Sequence, residues 1–485
     1  MSSESAAAGG SVSRPKDRRH FYHDEGPGRS VPGSSGTRRT FSFHGYDLIG
    51  NQPRLSDPPD PSLGIGTGGA DEVKCSLGSR SGRKSEHLSE KNGVKTTFFG
   101  FDLSFAVTIH YEPSRFMRRK VSPMRFILYC RPGFEKDCVA EAHDQFASLG
   151  WDGYPEIHGE HGIVSYHGSP YDPENPRSAE IPKVATFIFA RHILEQACIV
   201  KELPAADRAT VLAEALLKTT KFRNFRELVL EFPDTNDGRA LANFCKKFHP
   251  AMGNALKRNG FTLDRGNHDA PAIHICFLDY ENAVMGLSWK KRSSPWRSGI
   301  PRLKFPDEAP SRSTLKLDEA FLTLLTEEER TDRLQGGGTA VDLGASPGGW
   351  TYQLLERSFF VTAVDNGKMA ESLMASGMVD HKSEDAFKFK PKAAVDLLVC
   401  DMVEKPQRVI ELVARWFKEQ TCTWAVINLK LPMKKRFSEI EACQLAFWEQ
   451  SGLTEDKFEI RCKQLYHDRE EVTLVLIPKP KKARR

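Results

Sequence analysis

The sequence lacks any long apolar run. No stretch of about 18 consecutive apolar residues occurs, which is the length that a membrane-spanning helix needs. The basic residues near the N-terminus are not followed by the apolar segment of a signal peptide. We therefore expect a cytoplasmic protein without a membrane partner.

Cysteine is scarce and widely spaced. The ten cysteines include no Cys-x-x-Cys pair, and the closest two are Cys130 and Cys138. No His and Cys residues have the spacing of zinc ligands. We expect reduced thiols and no bound metal.

Basic and acidic residues are nearly equal in number, so the net charge is small. Lys and Arg total 69 against 64 Asp and Glu, and the pI is about 8.5. A nucleic-acid partner is thus permitted but not indicated. The 485 residues leave room for two or three domains of about 150 residues each. The oligomeric state is open, and a monomer is our expectation.

Residues 1–122 are rich in Gly, Ser, Pro and Arg and have no hydrophobic period. Such a segment buries too little apolar surface to offset its ordering entropy, so we predict a disordered, low-complexity extension. Its apolar stretch Thr96–Tyr111 forms either a strand or no structure. Folded character begins abruptly at Met124, which is therefore a plausible translation start.

Residues 123–285 mix strands and helices without a cluster of catalytic residue types. Hydrophobic periodicity predicts a strand at Arg125–Cys130 and a helix at 134–149. It also predicts strands at Gly162–Tyr166, Lys183–Phe189, Glu227–Phe232 and Ala272–Leu278, and helices at Ala206–Thr219 and Asp237–Asn259. The basic residues of the last helix are either a solvated face or an RNA backbone contact.

Residues 286–318 form a basic linker in which Trp289 and Trp296 alternate with Lys and Arg. Cations can contact phosphates and indoles can stack on bases, so the linker suits RNA. An interdomain hinge packed by its tryptophans is the equal alternative.

A glycine turn follows a short buried strand at Thr339–Ala345. The turn Ser346-Pro-Gly-Gly349 opens a helix, and this order lets a nucleotide-like ligand approach the backbone closely. The pattern does not fit the GxGxxG of dinucleotide sites, which seats a pyrophosphate. It therefore favours S-adenosylmethionine, which has no pyrophosphate.

Three acidic residues end the strands that follow. Asp365 ends the second strand, where its carboxylate can accept hydrogen bonds from ribose hydroxyls. Asp385 ends the third strand and Asp401 the fourth. The element order predicts an α/β fold with a doubly wound, mostly parallel sheet and the last strand inserted antiparallel. Residues 319–485 would form this domain.

The motif Leu343-Gly-Ala-Ser-Pro-Gly-Gly-Trp350 resembles the glycine loop of FtsJ-type ribose 2′-O-methyltransferases. That group carries a Lys-Asp-Lys-Glu tetrad, and the resemblance assigns catalytic roles to Lys316, Asp401, Lys430 and Glu471, with Glu470 as the alternative glutamate. It implies a Rossmann-like class I domain with seven strands. The predicted cofactor contacts are Ser313, Gly344, Ser346, Pro347, Gly348, Gly349, Asp365, Asp385 and Asp401.

Longer runs, such as Asn428-Leu-Lys-Leu-Pro-Met-Lys-Lys435 and Gln464-Leu-Tyr-His-Asp-Arg-Glu-Glu-Val472, resemble the RlmM-type group within that family. The similarity covers about Met124–Leu476. It implies an N-terminal α+β domain of the THUMP type that binds RNA, and a cytidine ribose of 23S ribosomal RNA, or of a large-subunit precursor, as substrate.

The chemistry requires removal of one proton from a weakly acidic 2′-hydroxyl and in-line positioning of an already activated methyl group. A lysine serves as base only when its pKa is lowered. We expect Lys430 to be this base, desolvated near Lys316, with Asp401 and Glu471 orienting both ammonium groups. His467 and Asp468 are expected to lie on a strand, facing opposite sides, and receive no role.

Two other classes of function stay open. A methyltransferase acting on a protein or a small molecule would keep the glycine loop but would not need the paired lysines. A methyltransferase acting on another RNA is a further alternative. A non-catalytic RNA-binding protein would not need the tetrad. The basic run of Lys434, Lys435 and Arg436 is either a substrate contact or a solvated face.

Overall fold

The structure is a computed structural model that describes residues 90–91, 94–98, 107–111, 123–172, 175 and 179–480. The first strands form a small sheet of their own, with β1 at Glu90–Lys91, β2 at Val94–Phe98 and β3 at Val107–Tyr111. The apolar stretch Thr96–Tyr111 therefore contains strands, which is one of the two alternatives that the sequence left open. The predicted disorder of the remaining residues before 123 lies outside the described residues.

A seven-stranded mixed sheet, the N-terminal sheet, spans residues 124–288 in the order β5-β6-β4-β7-β12-β11-β9. Its strands are β4 (Met124–Tyr129), β5 (Trp151–Ile157), β6 (Ile163–Pro170), β7 (His192–Val200), β9 (Leu228–Glu231), β11 (Ala272–Phe277) and β12 (Ala283–Ser288), while β8 (Asn224–Phe225) and β10 (Thr262–Leu263) pair separately. The helices are α1 (Glu135–Ser148), α2 (Arg208–Thr219), α3 (Asn236–Ala240) and α4 (Ala242–Arg258).

One strand prediction for this region is wrong, and one predicted helix is interrupted. The segment Lys183–Phe189 is not a strand but holds one short helical turn, Val184–Thr186, because it packs at a domain boundary instead of pairing with a sheet. The helix predicted at Asp237–Asn259 is divided at Leu241 into α3 and α4. The β-strands β5, β7 and β12 were not predicted.

A second seven-stranded sheet, the C-terminal sheet, has the order β15-β14-β13-β16-β17-β19-β18. Its strands are β13 (Thr339–Leu343), β14 (Phe360–Val364), β15 (Val379–Lys382), β16 (Val395–Cys400), β17 (Cys422–Lys430), β18 (Phe458–Lys463) and β19 (Glu471–Pro478). All neighbouring pairs are parallel except those of β19, which lies antiparallel between β17 and β18.

Helices cover both faces of the C-terminal sheet. They are α5 (Thr314–Leu324), α6 (Glu327–Arg333), α7 (Gly349–Leu355), α8 (Glu371–Met374), α9 (Pro406–Lys418) and α10 (Arg436–Ser451). Helix α9 shows why they dock: Pro406 occupies its first turn, and Val409, Val413 and Trp416 recur at helical spacing and are buried. No helix in the described ranges is long and apolar enough to cross a membrane.

The two sheets belong to one packed body, because side chains from both share a hydrophobic core. Phe126 and Phe187 from the N-terminal part join Ile427 and Leu474 in one cluster. The buried ammonium of Lys463 donates to the carbonyl oxygens of Val184, Phe187 and Ala190 at 3.0, 2.8 and 2.9 Å. The N-terminal part is thereby held in a fixed place beside the C-terminal sheet.

The basic linker follows the N-terminal sheet and is anchored to it. The guanidinium of Arg292 makes a two-point contact with the buried carboxylate of Glu195, at 2.6 and 3.0 Å. The Ser293 hydroxyl donates to the Ile193 carbonyl, and Trp289 packs against Phe222. Part of the positive charge that suggested RNA binding is therefore neutralised within the protein.

Candidate active site

The acidic residues that follow the strands lie close together, because the carboxyl ends of parallel strands meet at one edge of a sheet and form a crevice there. Asp365, Asp385 and Asp401 line a cleft of about 350 Å³, the carboxylate cleft, together with Gly344 and Ser346. Asp385 lies beyond the end of β15 rather than on it, in a turn where its Oδ1 accepts the Phe387 N–H at 2.9 Å. The structure thus brings together residues from four separate strand ends.

Some residues of the glycine loop line the carboxylate cleft, and others pack beneath it. Gly344 has φ +79°, and a Cβ there would come within 2.6 Å of the Met402 side chain. Gly348 and Gly349 are buried: a Cβ on Gly348 would meet Leu373 at 2.2 Å, and one on Gly349 would meet Ser313 Oγ at 2.2 Å. These two glycines let the helices approach each other and do not line the cleft.

The remaining predicted cofactor contacts lie elsewhere. Pro347 is exposed and is not among the residues that line the carboxylate cleft. Ser313 shares a hydrogen bond of 2.7 Å with Ser311 and lines a different cleft. The loop sequence did not reveal this division, because it depends on how α5 and α8 pack against the loop.

S-adenosylmethionine fits the groups of the carboxylate cleft. The Asp365 carboxylate accepts the N–H groups of Ser346 and Gly367 at 3.1 and 2.7 Å, which fixes its orientation at the end of β14. Asp342 Oδ1 below the loop is buried and has no partner among the described residues. A cluster of carboxylates suits a ligand that carries hydroxyl groups, an ammonium and a sulfonium.

Lys316 lies between two of the tetrad carboxylates. Its Nζ is 3.1 Å from Asp401 Oδ1 and 2.7 Å from Glu471 Oε2. Burial lowers the pKa of Lys316, but the two carboxylates raise it by more, so the net pKa is above its ordinary value. Burial raises the pKa of Asp401, and Lys316 partly offsets this increase. Lys316 is consequently a fixed cation and not a proton acceptor.

Lys430 does not have the expected environment. Its side chain is exposed at the end of β17, so the expectation of a desolvated lysine is wrong for this state. None of the ion pairs among the described residues includes Lys430, and Asp401 and Glu471 both hold Lys316 instead. Lys430 is nevertheless opposite Glu471 in the β17–β19 register, which keeps all four tetrad residues adjacent. Glu470 instead pairs with Arg436, at 2.7 Å.

A second cleft of about 600 Å³ adjoins Lys316 and Glu471, and we call it the arginine cleft. Its ionisable residues come from both parts of the chain, with Arg131, Asp234 and Arg239 from the N-terminal part and Arg312, Lys316, His467, Asp468, Arg469 and Glu471 from the C-terminal part. Within the described ranges, Arg239, Arg312 and Arg469 are exposed and make no side-chain hydrogen bond or ion pair. Their positive charge is therefore available to a ligand.

His467 and Asp468 lie in the turn between β18 and β19, so the prediction that they occupy opposite faces of a strand is wrong. His467 Nδ1 is 2.6 Å from the buried carboxylate of Glu319, which fixes the ring at the wall of the arginine cleft. Asp468 is fully buried, accepts from Asn428 and the Leu465 N–H, and has its pKa raised by burial to about 8. No sequence motif indicated Glu319, because its partners are distant in the chain.

Arg436 has a structural role rather than a substrate contact. Its guanidinium lies 2.9 Å from Asp137 and stacks over the Phe134 ring at 4.0 Å. Both partners belong to the N-terminal part, so Arg436 joins the two parts of the chain. No group of His, Cys, Asp and Glu side chains suited to a metal ion occurs in the residues that the structure describes.

A sheet of this topology, with a glycine loop after its first strand and carboxylates at the adjacent strand ends, defines a class I methyltransferase that uses S-adenosylmethionine. The FtsJ-like methyltransferase family matches residues 309–463. The RlmM ferredoxin-like domain matches residues 124–194, and the N-terminal domain of ribosomal RNA large subunit methyltransferase M matches residues 207–289.

Similar proteins narrow the class to one family. A protein from Shewanella amazonensis named ribosomal RNA large subunit methyltransferase M is 44% identical over 357 residues, covering 73% of this chain and 97% of the relative. Proteins of the same name from Tolumonas auensis and Edwardsiella ictaluri are each 43% identical, covering 74% and 72% of this chain and 97% and 93% of their own. The chain belongs to the ribosomal RNA large subunit methyltransferase M family.

Proposed function

We propose that this enzyme transfers the methyl group of S-adenosylmethionine to the 2′-hydroxyl of a cytidine in 23S ribosomal RNA, either free or in a large-subunit precursor. The observation that carries the proposal is the position of Lys316. Its ammonium joins Asp401, which lines the carboxylate cleft, to Glu471, which lines the arginine cleft. The methyl donor and an anionic substrate would therefore meet at this lysine.

The arginine cleft supports RNA rather than a neutral small molecule as substrate. Three unpaired guanidinium groups line it, and Arg is suited to two-point contacts with phosphate. Because Arg239 comes from the N-terminal part, that part contributes directly to the substrate surface. This supports the proposed RNA-binding, THUMP-type role of residues 123–285.

S-adenosylmethionine bound in the carboxylate cleft would supply an activated methyl group. Asp365, Asp385 and Ser346 would hold its polar groups, and Gly344 would allow its close approach. Lys316, positively charged between its two carboxylates, positions the ribose or its phosphate. Lys430 accepts the 2′-hydroxyl proton.

Lys430 must lose its proton before it can act as base. Bound RNA would cover this exposed side chain and remove water from it, and desolvation disfavours the ammonium form. We therefore place the activation of Lys430 in the RNA complex and not in the free enzyme.

The test is a map of ribose methylation on 23S ribosomal RNA from a strain that lacks the gene. The strain is complemented with the wild type or with Lys430→Ala. We expect one cytidine to lose its methyl group and only the wild type to restore it. An unchanged map would overturn 23S ribosomal RNA as the substrate and leave a methyltransferase acting on another RNA, a protein or a small molecule.

A further inference from the structure

A cavity of about 720 Å³ on the N-terminal sheet is separate from both clefts, and we call it the basic cavity. Arg125, Lys218 and Lys221 contribute its charge, and its lining contains no Asp or Glu among the described residues. The two lysines are exposed and take part in no ion pair described for the chain, while Arg125 makes one long hydrogen bond, 3.4 Å, to His167. The Glu156 carboxylate lies 3.2 Å from His167, which also lines the cavity, so Arg125, Lys218 and Lys221 leave the surface with a net positive charge. A concave surface of net positive charge attracts a polyanion.

Exposed aromatic rings accompany this charge. Tyr154 is 61% exposed and lies parallel to the His167 ring, with centroids 4.9 Å apart and an interplanar angle of 4°. His167 in turn lines the basic cavity, as does Phe222, which is 40% exposed. The Phe222 ring packs against the Trp289 ring in a T-shaped arrangement, with the ring centroids 5.2 Å apart. Ordered rings beside cations are what successive unpaired bases need for stacking.

The basic cavity lies at the opposite end of β4 from the arginine cleft. Arg125 is near the start of β4, whereas Arg131 follows its end and donates to the Tyr466 carbonyl at 2.5 Å. Six residues of strand at about 3.3 Å each separate the two arginines by roughly 20 Å. A ligand in the basic cavity would thus be too far from Lys316 to be the methylated nucleotide.

We propose that the basic cavity binds a single-stranded segment of the substrate RNA away from the target nucleotide. Phosphates contact Arg125, Lys218 and Lys221, and unpaired bases stack on Tyr154 and Phe222. Duplex RNA fits less well, because its bases are already stacked and do not offer their faces. The proposal rests on RNA being the substrate, and it assigns to the cavity an anchoring role that lowers KM without changing kcat.

The test measures binding of a fluorescent single-stranded oligouridine at several salt concentrations. We expect Lys218→Ala/Lys221→Ala to weaken binding about tenfold and to reduce the slope of log K against log salt by about 1.4, since each phosphate contact on a single strand contributes about 0.7. The matched control, Lys392→Ala/Lys457→Ala, removes two exposed lysines of the C-terminal part and should bind as the wild type does.

Tyr154→Ala separates stacking from charge. We expect it to weaken oligouridine binding about tenfold with an unchanged salt slope, because a stacked base releases no counterion. Weaker binding of poly-glutamate by the lysine variant, together with no effect of Tyr154→Ala on RNA, would show a general anion site and overturn the proposal.

Kinetics on ribosomal RNA complete the test. The lysine variant should raise KM for RNA and leave kcat and cofactor affinity unchanged. Equal binding of oligouridine by the wild type and the variants would overturn the role of the basic cavity and leave the proposed function intact. A wild-type enzyme that binds RNA tightly but methylates no ribose would overturn the proposed function instead.

Discussion

Lys430 and Glu471 are direct partners across the antiparallel strands β17 and β19, and the same Glu471 carboxylate lies 2.7 Å from Lys316. One glutamate therefore connects the two lysines of the tetrad. Because directly opposed residues point to the same face of a sheet, Lys430 and Glu471 share the face on which Glu471 meets Lys316. The two lysines have different surroundings: Lys316 is enclosed by carboxylates and Lys430 is exposed.

Replacing Lys430 by Ala should abolish turnover while the cofactor still binds. Loss of a general base costs about 100-fold or more in rate, and the exposed position of the side chain implies no loss of folding stability. Methyl transfer to RNA and calorimetric titration with S-adenosylmethionine would measure the two effects. Lys457→Ala, another exposed lysine, serves as control. Equal loss of cofactor binding and turnover would contradict the assignment.

Replacing Lys316 by Met should reduce both activity and stability. The substitution leaves the carboxylates of Asp401 and Glu471 facing each other without a cation, at a cost of about 3 kcal/mol. Chemical denaturation would measure the loss. The double variant Lys316→Met/Glu471→Gln should recover part of the stability but no turnover. Recovery of turnover would show that Lys316 has only a structural role.

Asp342 should make the free enzyme less stable as the pH rises from about 4 to about 7. Burial raises the pKa of this carboxyl from 3.8 to about 7. Below about pH 4, both the folded and the unfolded states hold the proton. Between pH 4 and 7, the unfolded state releases it while the folded state keeps it, so the free energy of unfolding decreases.

The variant Asp342→Asn keeps an oxygen that can accept from Thr351, which donates to the wild-type carboxylate at 2.6 Å. Since the amide does not titrate, the stability difference between variant and wild type should grow from pH 4 to pH 7 by a few kcal/mol. Urea denaturation at several pH values checks this. A difference that does not depend on pH would show that Asp342 is ionised in the folded state.

Lys463→Met should destabilise the contact between the N-terminal part and the C-terminal sheet. The change leaves three buried carbonyls without their donor and removes a positive charge near the buried Glu141. We expect a loss of about 3 kcal/mol or more. Thermal unfolding with Lys457→Met as control measures it. Wild-type stability would mean that the ammonium contributes nothing to joining the two parts.

The sequence was sufficient to predict those parts of the site whose residues are close together in the chain. Short apolar runs ending in Asp365 and Asp401 indicated buried parallel strands, because such strands are apolar throughout and end where the chain reaches solvent. The glycine turn after β13 was identifiable because only a residue without Cβ can adopt the positive φ of Gly344 without strain. These local signals determined the fold class and the kind of cofactor.

Only the tertiary structure decided which charges meet. That Asp401 and Glu471 hold Lys316 and leave Lys430 exposed depends on how α5 packs against β16 and β19. Likewise, Glu319 reaches His467 and Lys463 reaches Ala190 only because distant segments are packed together. Hydrophobic periodicity specifies which face of an element is buried, but not which element covers it, so long-range pairings of this kind are set by the packing of the whole chain.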